Sequence, residues 1–192
     1  MFSSVYTGCY SRDGQECGYA VKVSRIETGK EQRGLEEVAI SMAMGELGVA
    51  PTVFDAWLCP EAPKTRRRGP YIFIVMTKLD KSLPLWEDVQ KQEHLVSLDS
   101  LEQLGLDVAQ RIRAMHDAGV VHNDLHAANI LIQRTNASAP PRAWIIDFGR
   151  ATVRKRLPVI ARQRDAKIPL ELLHHVLQTR VQALSDTLAE QV

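Results

Sequence analysis

Two polar motifs, each framed by short apolar runs, restrict the fold more than any other feature of this chain. The first lies in "VVHNDLHAANILI", residues 120–132, and the second ends "AWIIDFG", residues 143–149. Short apolar runs bounded by turn formers are typical of buried strands. The connecting "QRTNASAPPR" is rich in such turn formers. The pattern therefore predicts short strands that hold both polar motifs in well-placed loops.

The composition is that of a globular domain. Hydrophobic residues make up 45% and charged residues 24% of the 192 residues, whereas disordered chains carry less apolar content and more net charge. The 24 Lys and Arg nearly balance 23 Asp and Glu, so no overall attraction to nucleic acid or to an anionic membrane follows. Three irregularly spaced cysteines argue against a disulfide framework. We find no signal-peptide or membrane-span pattern and expect an intracellular, cytoplasmic protein.

The first 79 residues are predicted to form two strands, one helix and two further strands. The runs "FSSVYTGCY" and "GYAVKVSRI" alternate β-branched and aromatic residues around a turn-prone segment, which predicts an antiparallel hairpin. The following "GKEQRGLEEVAISMAMGELGV" is rich in helix formers, and Gly48 and Pro51 indicate where the helix ends. "TVFDAWLC" and "PYIFIVMTKL" predict the last two strands of this region.

Residues 80–192 are predicted to be mainly helical apart from the strands around the two motifs. In "SLDSLEQLGLDVAQRIRAMHDAG" apolar residues recur at steps of three and four, which defines one helix face. Ser100 with Gln103 resembles a capping box, and Gly119 suits the helix end. The final "IPLELLHHVLQTRVQALSDTLAEQV" predicts another helix. The expected faces are Leu101, Leu104, Val108, Ile112 and Met115 in the first helix, and Leu170, Leu173, Leu177 and Leu184 in the last.

A third motif, "YAVK", places Lys22 in the middle of a predicted strand with Ala20 inside the fold. A lysine on a strand is ordinarily a solvated residue and indicates nothing alone. Together with His122-Asn123-Asp124-Leu125-His126-Ala127-Ala128-Asn129 and with Asp147-Phe148-Gly149, it resembles the signature set of the protein kinase-like superfamily. The order, the spacing and the flanking strands all agree with that family.

The resemblance covers about Phe2 to Gly149 and implies an α+β, two-lobed protein-kinase-like fold. Residues 1–79 would form a small antiparallel β lobe with one helix. Residues 80–192 would form a reduced, mainly helical large lobe, so that both together make one kinase domain. The resemblance also implies that the chain binds ATP and Mg²⁺.

Phosphoryl transfer consists mainly of positioning and charge neutralisation, which these residue types can supply. Asp147 and Asn129 would be oxygen ligands of magnesium. Asp124 would accept, or at least orient, the proton of the attacking hydroxyl. Lys22 would hold the α- and β-phosphates as a point charge. His126 either contacts the γ-phosphate or is a loop histidine bonded to backbone.

Lys22 needs a carboxylate on the helix to aim it inward, and Glu36 and Glu37 are the two candidates. Helical spacing favours Glu36, which shares a face with Ile40, Ala43 and Leu47. The resemblance to kinase-fold enzymes favours Glu37. We choose Glu37, with Glu36 as the alternative.

The resemblance extends to the segment between the lobes. In "IFIVMTKLDKSL", Met76 would lie at the gatekeeper position beside the adenine. The backbone of Thr77 and Leu79 would bond to the adenine edge. Val5 and Ala20 would complete the adenine pocket. A plain buried strand explains the apolar residues of this segment equally well.

Two departures from the protein-kinase pattern concern the phosphate lid and the catalytic loop. "FSSVYTG" resembles only the end of the glycine-rich hairpin, with Ser3 where the last glycine belongs. The family member is then naturally minimal, or the sequence begins downstream of the true start. Asn123 replaces the arginine that pairs with a phosphorylated activation loop, so activation by phosphorylation is not expected. Asp165 would buttress the catalytic loop or form an exposed helix cap.

The first hypothesis is therefore an ATP- and Mg²⁺-dependent serine/threonine kinase with a protein substrate. The pattern H-x-D-x-H-x-x-N also resembles aminoglycoside and choline phosphotransferases, which makes a small-molecule kinase the second hypothesis. A pseudokinase or nucleotide-binding regulatory module is the third, because the glycine-rich lid is incomplete. A partner subunit or dimer that covers the open sheet edge is conceivable on general grounds.

Overall fold

The structure, a computed structural model, describes residues 2–8, 18–59, 69–92, 98–135 and 140–189. The first part of the chain forms a four-stranded antiparallel sheet in the order β1-β2-β4-β3, with one helix, α1. Its elements are β1 Phe2–Gly8, β2 Tyr19–Arg25, α1 Glu31–Glu46, β3 Val53–Cys59 and β4 Tyr71–Thr77. All four predicted strands and the helix are confirmed. Residues 9–17, the predicted hairpin turn, lie outside the described residues.

Helix α1 packs closely against this sheet because a glycine, Gly34, lies on its buried face. A Cβ atom on Gly34 would overlap the Ile26 side chain and would touch Ile72. The buried face of α1 continues through Glu37, Ile40, Ser41, Met44 and Gly45. Glu37 is therefore carried towards the sheet, although a carboxylate is rarely buried without a partner.

The described residues after position 79 combine four α-helices with short strands. The helices are α2 Leu85–Gln92, α3 Leu98–Asp117, α4 Val159–Asp165 and α5 Lys167–Ala189. The strands are β5 Leu83–Pro84, β6 Val120–Val121, β7 Ile130–Gln133, β8 Arg142–Ile145 and β9 Thr152–Val153. β5, β7 and β8 form one small antiparallel sheet, and β6 pairs with β9. This arrangement is the α+β architecture expected from the sequence.

Helix α3 supplies the centre of the large core. All five residues of its predicted apolar face are at most 5% exposed. The predicted capping box is wrong, because α3 already begins at Leu98 and Ser100 lies inside its first turn. Gly119 ends the helix as expected: its φ of 76° is left-handed, a conformation that glycine adopts without strain. Helix α2 was not predicted as a separate element.

Helix α5 packs through a different face from the one the leucine pattern indicated. Ile168, Leu172 and Val176, spaced by four residues, are buried. Leu170, Leu173 and Leu177 are 63%, 49% and 53% exposed, so that expectation is wrong. Leu184 belongs to the part of α5 whose side chains are not described. Apolar residues lie on both sides of this helix, so periodicity alone did not choose the packed side.

Within the described residues, no helix is both long and apolar enough to cross a membrane.

Candidate active site

An ion-paired triad joins the small sheet, helix α1 and the second polar motif. Lys22 Nζ lies 2.5 Å from Glu37 Oε1 and 2.7 Å from Asp147 Oδ1. Lys22 is 7% and Glu37 2% exposed, whereas the Asp147 side chain is 44% exposed. The strand lysine is therefore held from behind by a buried carboxylate and reaches a carboxylate at the solvent boundary.

Neighbouring opposite charges keep Lys22 and Asp147 ionised. Burial alone lowers the pKa of Lys22, but the charges of Glu37 and Asp147 and the hydrogen bonds to both outweigh it, so the pKa lies above its usual value. Burial likewise raises the pKa of Asp147, but the charge and hydrogen bond of Lys22 outweigh it, so that pKa is lowered. Charge–charge attraction thus overcomes desolvation at both groups.

The backbone at Asp147 adopts an unusual conformation that aims its side chain. Asp147 has φ 64° and ψ 69°, a left-handed geometry that few residues other than glycine adopt. Its Oδ1 accepts a 3.4 Å hydrogen bond from the Gly149 N–H. A Cβ atom on Gly149 would lie 3.3 Å from both Asp147 Oδ1 and Glu37 Oε2. A glycine at position 149 therefore allows the two carboxylates to approach the same point.

His122 supports this segment from the core. It is fully buried, and its Nε2–H donates to the carbonyl oxygen of Ile146 at 2.9 Å. Its ring packs against Phe148 with the centroids 5.1 Å apart. Burial lowers the pKa of His122, despite the hydrogen bond to Ile146 and the neighbouring carboxylates. The neutral imidazole thus holds the chain on either side of Asp147.

The catalytic-loop residues form a compact hydrogen-bonded group. Asn129 Nδ2 donates to the Asp124 carbonyl oxygen at 3.0 Å and lies 3.1 Å from His126 Nε2. Asn129 is 8% exposed. The His126 ring therefore contacts the side chain of Asn129. With Nδ2 committed to the loop, the Oδ1 oxygen of Asn129 is the atom left to coordinate a cation.

Asn123 and Arg150 link the catalytic loop to the segment that follows Gly149. Asn123 Nδ2 donates to the Arg150 carbonyl oxygen at 3.0 Å and to Thr152 Oγ1 at 3.1 Å. Arg150 Nη1 in turn lies 3.2 Å from Asp124 Oδ1. Where the resemblance expected an arginine at position 123, an amide ties the two segments together through neutral hydrogen bonds.

A cavity of about 340 Å³ opens between the sheet and the catalytic segments. Its volume lies within the range of small-molecule sites. Every residue predicted to bind nucleotide or metal lines it: Val5, Ala20, Lys22, Glu37, Met76, Thr77, Leu79, Asn129 and Asp147. We call this space the interlobe cavity.

The predicted hinge lies along one wall of the interlobe cavity. The Thr77 N–H already donates to the Thr52 carbonyl oxygen at 2.9 Å. A contact from Thr77 to a base edge would therefore use its carbonyl oxygen, and Leu79 would supply the N–H donor.

A second cavity, of about 310 Å³, meets the first at Ser3 and Asp147. We call it the polar cavity. Asp124 lines it, as do Arg33 and Arg150. Asp124 does not line the interlobe cavity, whereas Asn129 does. Of the predicted catalytic residues, Asp124 lines the polar cavity, Lys22 lines the interlobe cavity, and His126 lines neither.

The donor set at the junction fits magnesium. Mg²⁺ prefers oxygen ligands and is commonly bound by one or two side chains together with substrate phosphates. The carboxylate of Asp147 and the amide oxygen of Asn129 provide such a set. Within the described residues there is no cluster of three His, Cys, Asp or Glu that would hold a metal by itself.

Asp165 is buried, at 2% exposed, and its Oδ2 lies 2.7 Å from His116 Nε2 of α3. The expectation of an exposed helix cap is therefore wrong. The hydrogen bond found for this carboxylate also goes to α3 and not to the catalytic loop, so it anchors the end of α4 to the core.

Sequence reasoning missed several cavity residues. Leu131 lines the interlobe cavity, and it alternates with Ile130 and Ile132, which are both fully buried in the core. That period-two pattern could have identified it. Arg33 and Arg150 carried no such signal, because exposed arginines are common on any surface.

The fold and the paired lysine, glutamate and aspartate agree with the kinase-like class of proteins. The family model described as "Lipopolysaccharide kinase (Kdo/WaaP) family" matches residues 62–186, more than half of the chain. The chain belongs to this family, and hence to the protein kinase-like superfamily.

The curated relatives include two probable serine/threonine-protein kinases of Dictyostelium discoideum. They are 31% and 33% identical over 69% and 71% of this chain. A serine/threonine/tyrosine-protein kinase of Arabidopsis thaliana is 25% identical over 77% of it. The chain spans only 24%, 8% and 35% of the lengths of these three proteins, respectively.

Among solved structures, WaaP in complex with acyl carrier protein matches with a TM-score of 0.49 and 26% sequence identity. The match covers 77% of this chain and 58% of that one.

Proposed function

We propose that this chain transfers the γ-phosphoryl group of ATP to an alcohol hydroxyl, with Mg²⁺ bound at Asp147 and Asn129. The observation that carries the proposal is the contact of Lys22 with both Glu37 and Asp147 at 2.5 Å and 2.7 Å. This contact holds the ammonium group of Lys22 next to Asp147, the carboxylate proposed to coordinate Mg²⁺, at the junction of the two cavities. A module that only bound nucleotide would not require Asp124 beside that junction.

In the proposed complex, ATP occupies the interlobe cavity. The adenine lies among Val5, Ala20 and Met76 and bonds to the backbone of Thr77 and Leu79. Lys22 holds the α- and β-phosphates, and Glu37 keeps its ammonium group directed towards them. The positions of these residues on the cavity wall support these roles.

Asp124 acts from the polar cavity. Its carboxylate orients the acceptor hydroxyl and receives the proton as the oxygen–phosphorus bond forms and the bond from the γ-phosphorus to the leaving oxygen of ADP breaks. Asn129 fixes the Asp124 backbone through the 3.0 Å bond to its carbonyl oxygen. His126, which lies 3.1 Å from Asn129, positions that amide rather than contacting the γ-phosphate itself. A bound magnesium ion would neutralise the phosphate charge.

Two acceptor classes follow from the comparisons. The relatives in Dictyostelium discoideum support serine or threonine of a protein, which is the acceptor that the sequence motifs favoured. The family description supports a carbohydrate hydroxyl instead. Both acceptors present an alcohol to Asp124, so the chemistry of transfer is the same.

The test is transfer of labelled γ-phosphate with Mg²⁺ to serine- and threonine-containing peptides and, in parallel, to sugars, each with and without an anionic group. Wild type is expected to label one class, and Asp147→Asn is expected to label neither. If wild type labels neither class while ATP still raises the melting temperature, the enzyme proposal fails and a nucleotide-binding module replaces it. Labelling of peptides alone or of sugars alone decides between the two acceptors.

A further inference from the structure

The polar cavity is unusually rich in cationic side chains for a space that also contains the proposed base. Arg25 ends strand β2, Lys30 and Arg33 lie at the start of α1, and Arg150 follows the Asp147 motif. Three separate parts of the chain therefore direct cations to one concavity. The carboxylates of Glu27, Asp124 and Asp147 line the same cavity.

The pairing of these cations is uneven. Lys30 forms an ion pair with Glu27, and Arg150 contacts Asp124 at 3.2 Å. Arg33 donates from Nε to the Gly149 carbonyl oxygen at 3.3 Å, which orients its guanidinium along the cavity. Within the described part of the chain, Arg33 forms no ion pair with a carboxylate. Its terminal N–H groups can therefore donate to an anionic partner.

We propose that the polar cavity binds an acceptor that carries a phosphate or carboxylate group near its reacting hydroxyl. Arg33 is the principal contact to that group. A guanidinium presents a planar fork that bonds two oxygens of a phosphate or carboxylate at once. This inference rests on the proposed function and adds the charge class of the acceptor to it.

The contact between Arg150 and Asp124 gives the anion a second role. Both side chains are well exposed, at 67% and 36%, and exposed ion pairs contribute little to stability. An incoming anion can therefore draw the guanidinium of Arg150 away from Asp124 at small cost. The freed Oδ1 then faces the acceptor hydroxyl, so that binding the correct acceptor exposes the base.

The first experiment compares matched acceptors that differ only in the anionic group. Suitable pairs are glucose 6-phosphate with glucose, and a serine peptide with and without a nearby phosphothreonine. Wild type is expected to prefer the anionic member by at least about tenfold in kcat/KM, the low end for a charged hydrogen bond, with a lower KM from the contact to Arg33 and a higher kcat from the release of Asp124. Equal kcat/KM for both members of each pair would overturn the inference and leave the proposed function intact.

Variants at Arg33 test whether this residue causes the preference for anionic acceptors. Arg33→Gln should reduce the preference to near unity, and Arg33→Lys should restore part of it because the charge remains. Arg113→Gln is the control, since Arg113 is an 84% exposed arginine of α3 that does not line the cavity. The KM for ATP should stay unchanged in all three. A preference that survives Arg33→Gln would contradict the assignment of this residue.

If no acceptor is labelled, the proposed function fails, and the inference is decided by binding alone. The probe is then inorganic phosphate, titrated into protein saturated with Mg²⁺ and a non-hydrolysable ATP analogue. Phosphate binding that Arg33→Gln weakens and Arg113→Gln does not would support the cationic site. Absence of binding, or equal binding in both variants, would overturn it.

Discussion

The two cavities that meet at Asp147 differ in how their charges are arranged. In the interlobe cavity the central cation, Lys22, is buried and fixed by two carboxylates. In the polar cavity the cations are exposed, and the pair between Arg150 and Asp124 is weak. The first arrangement is pre-organised for one charged ligand, whereas the second can rearrange when a ligand arrives. The difference agrees with the proposal that the interlobe cavity always binds ATP, whereas the polar cavity selects among phosphate acceptors.

The largest effect should come from Asp124→Asn, which removes the proposed base but keeps the shape of the side chain. Transfer should fall by about 10²- to 10⁴-fold, the usual contribution of general base catalysis. The affinity for ATP should not change, because Asp124 does not line the interlobe cavity. Labelled transfer and equilibrium ATP binding measure the two quantities. A parallel loss of ATP affinity would show that the cavities are not functionally separate.

Glu37→Gln should lower the free energy of unfolding by about 3 kcal/mol, because removing one charge of a buried ion pair leaves the other incompletely compensated. Thermal or denaturant unfolding measures the change. Glu36→Gln is the matched control: Glu36 neighbours Glu37 but is exposed, and surface changes usually stay within about 0.5 kcal/mol. Equal effects of the two variants would refute the role given to Glu37.

Gly149→Ala should disturb the close approach of Asp147 and Glu37 at the junction of the two cavities. The added Cβ would approach Asp147 Oδ1 and Glu37 Oε2 to 3.3 Å, and overpacking of this kind costs about 1 kcal/mol or more. Transfer should fall more than ATP affinity, since Asp147 belongs to both cavities. Unchanged transfer in a folded Gly149→Ala protein would argue that the two carboxylates need not approach so closely.

The smallest expected effect is the contribution of His122 to the pH dependence of folding stability. His122 lies in the core beneath the junction. Its folded pKa is lowered by burial, so below the ordinary histidine value of about 6.5 the unfolded chain binds the additional proton. Stability should therefore decline as pH falls from there, by at most about 1.4 kcal/mol per pH unit for this group. Asp147, whose pKa is also lowered, adds a decline at more acidic pH.

Unfolding measured between pH 7 and 5 checks this prediction. His122→Gln should flatten the slope in that window, although it lowers stability overall. An identical slope in the variant would mean that other groups determine the acid sensitivity.

Much of the site was predictable because it consists of residues whose chemistry fixes their spacing. Lys22, Asp124, Asn129 and Asp147 follow from three short motifs, and all lie around one junction. The choice between Glu36 and Glu37 shows where periodicity failed. Glu37 lies on the buried face of α1, and Gly34, one turn earlier, was the local signal of close packing.

The packing of helix α5 was not predictable for a related reason. Leu172 is fully buried and Leu173 is half exposed, yet the two have the same side chain. Only the position of α3 decides between them, and local sequence does not contain that information. The polar cavity is a similar case, because its cations come from distant segments that only the tertiary fold brings together.

Amide hydrogen exchange on addition of Mg²⁺ and a non-hydrolysable ATP analogue tests the division between the two cavities most directly. Slower exchange is expected around Ala20–Lys22 and Met76–Leu79, which line the interlobe cavity. Exchange at Lys30–Arg33, beside the polar cavity, should be nearly unchanged until an acceptor is added. Protection confined to Lys30–Arg33, with none around Met76–Leu79, would contradict the placement of ATP and with it the proposed mechanism.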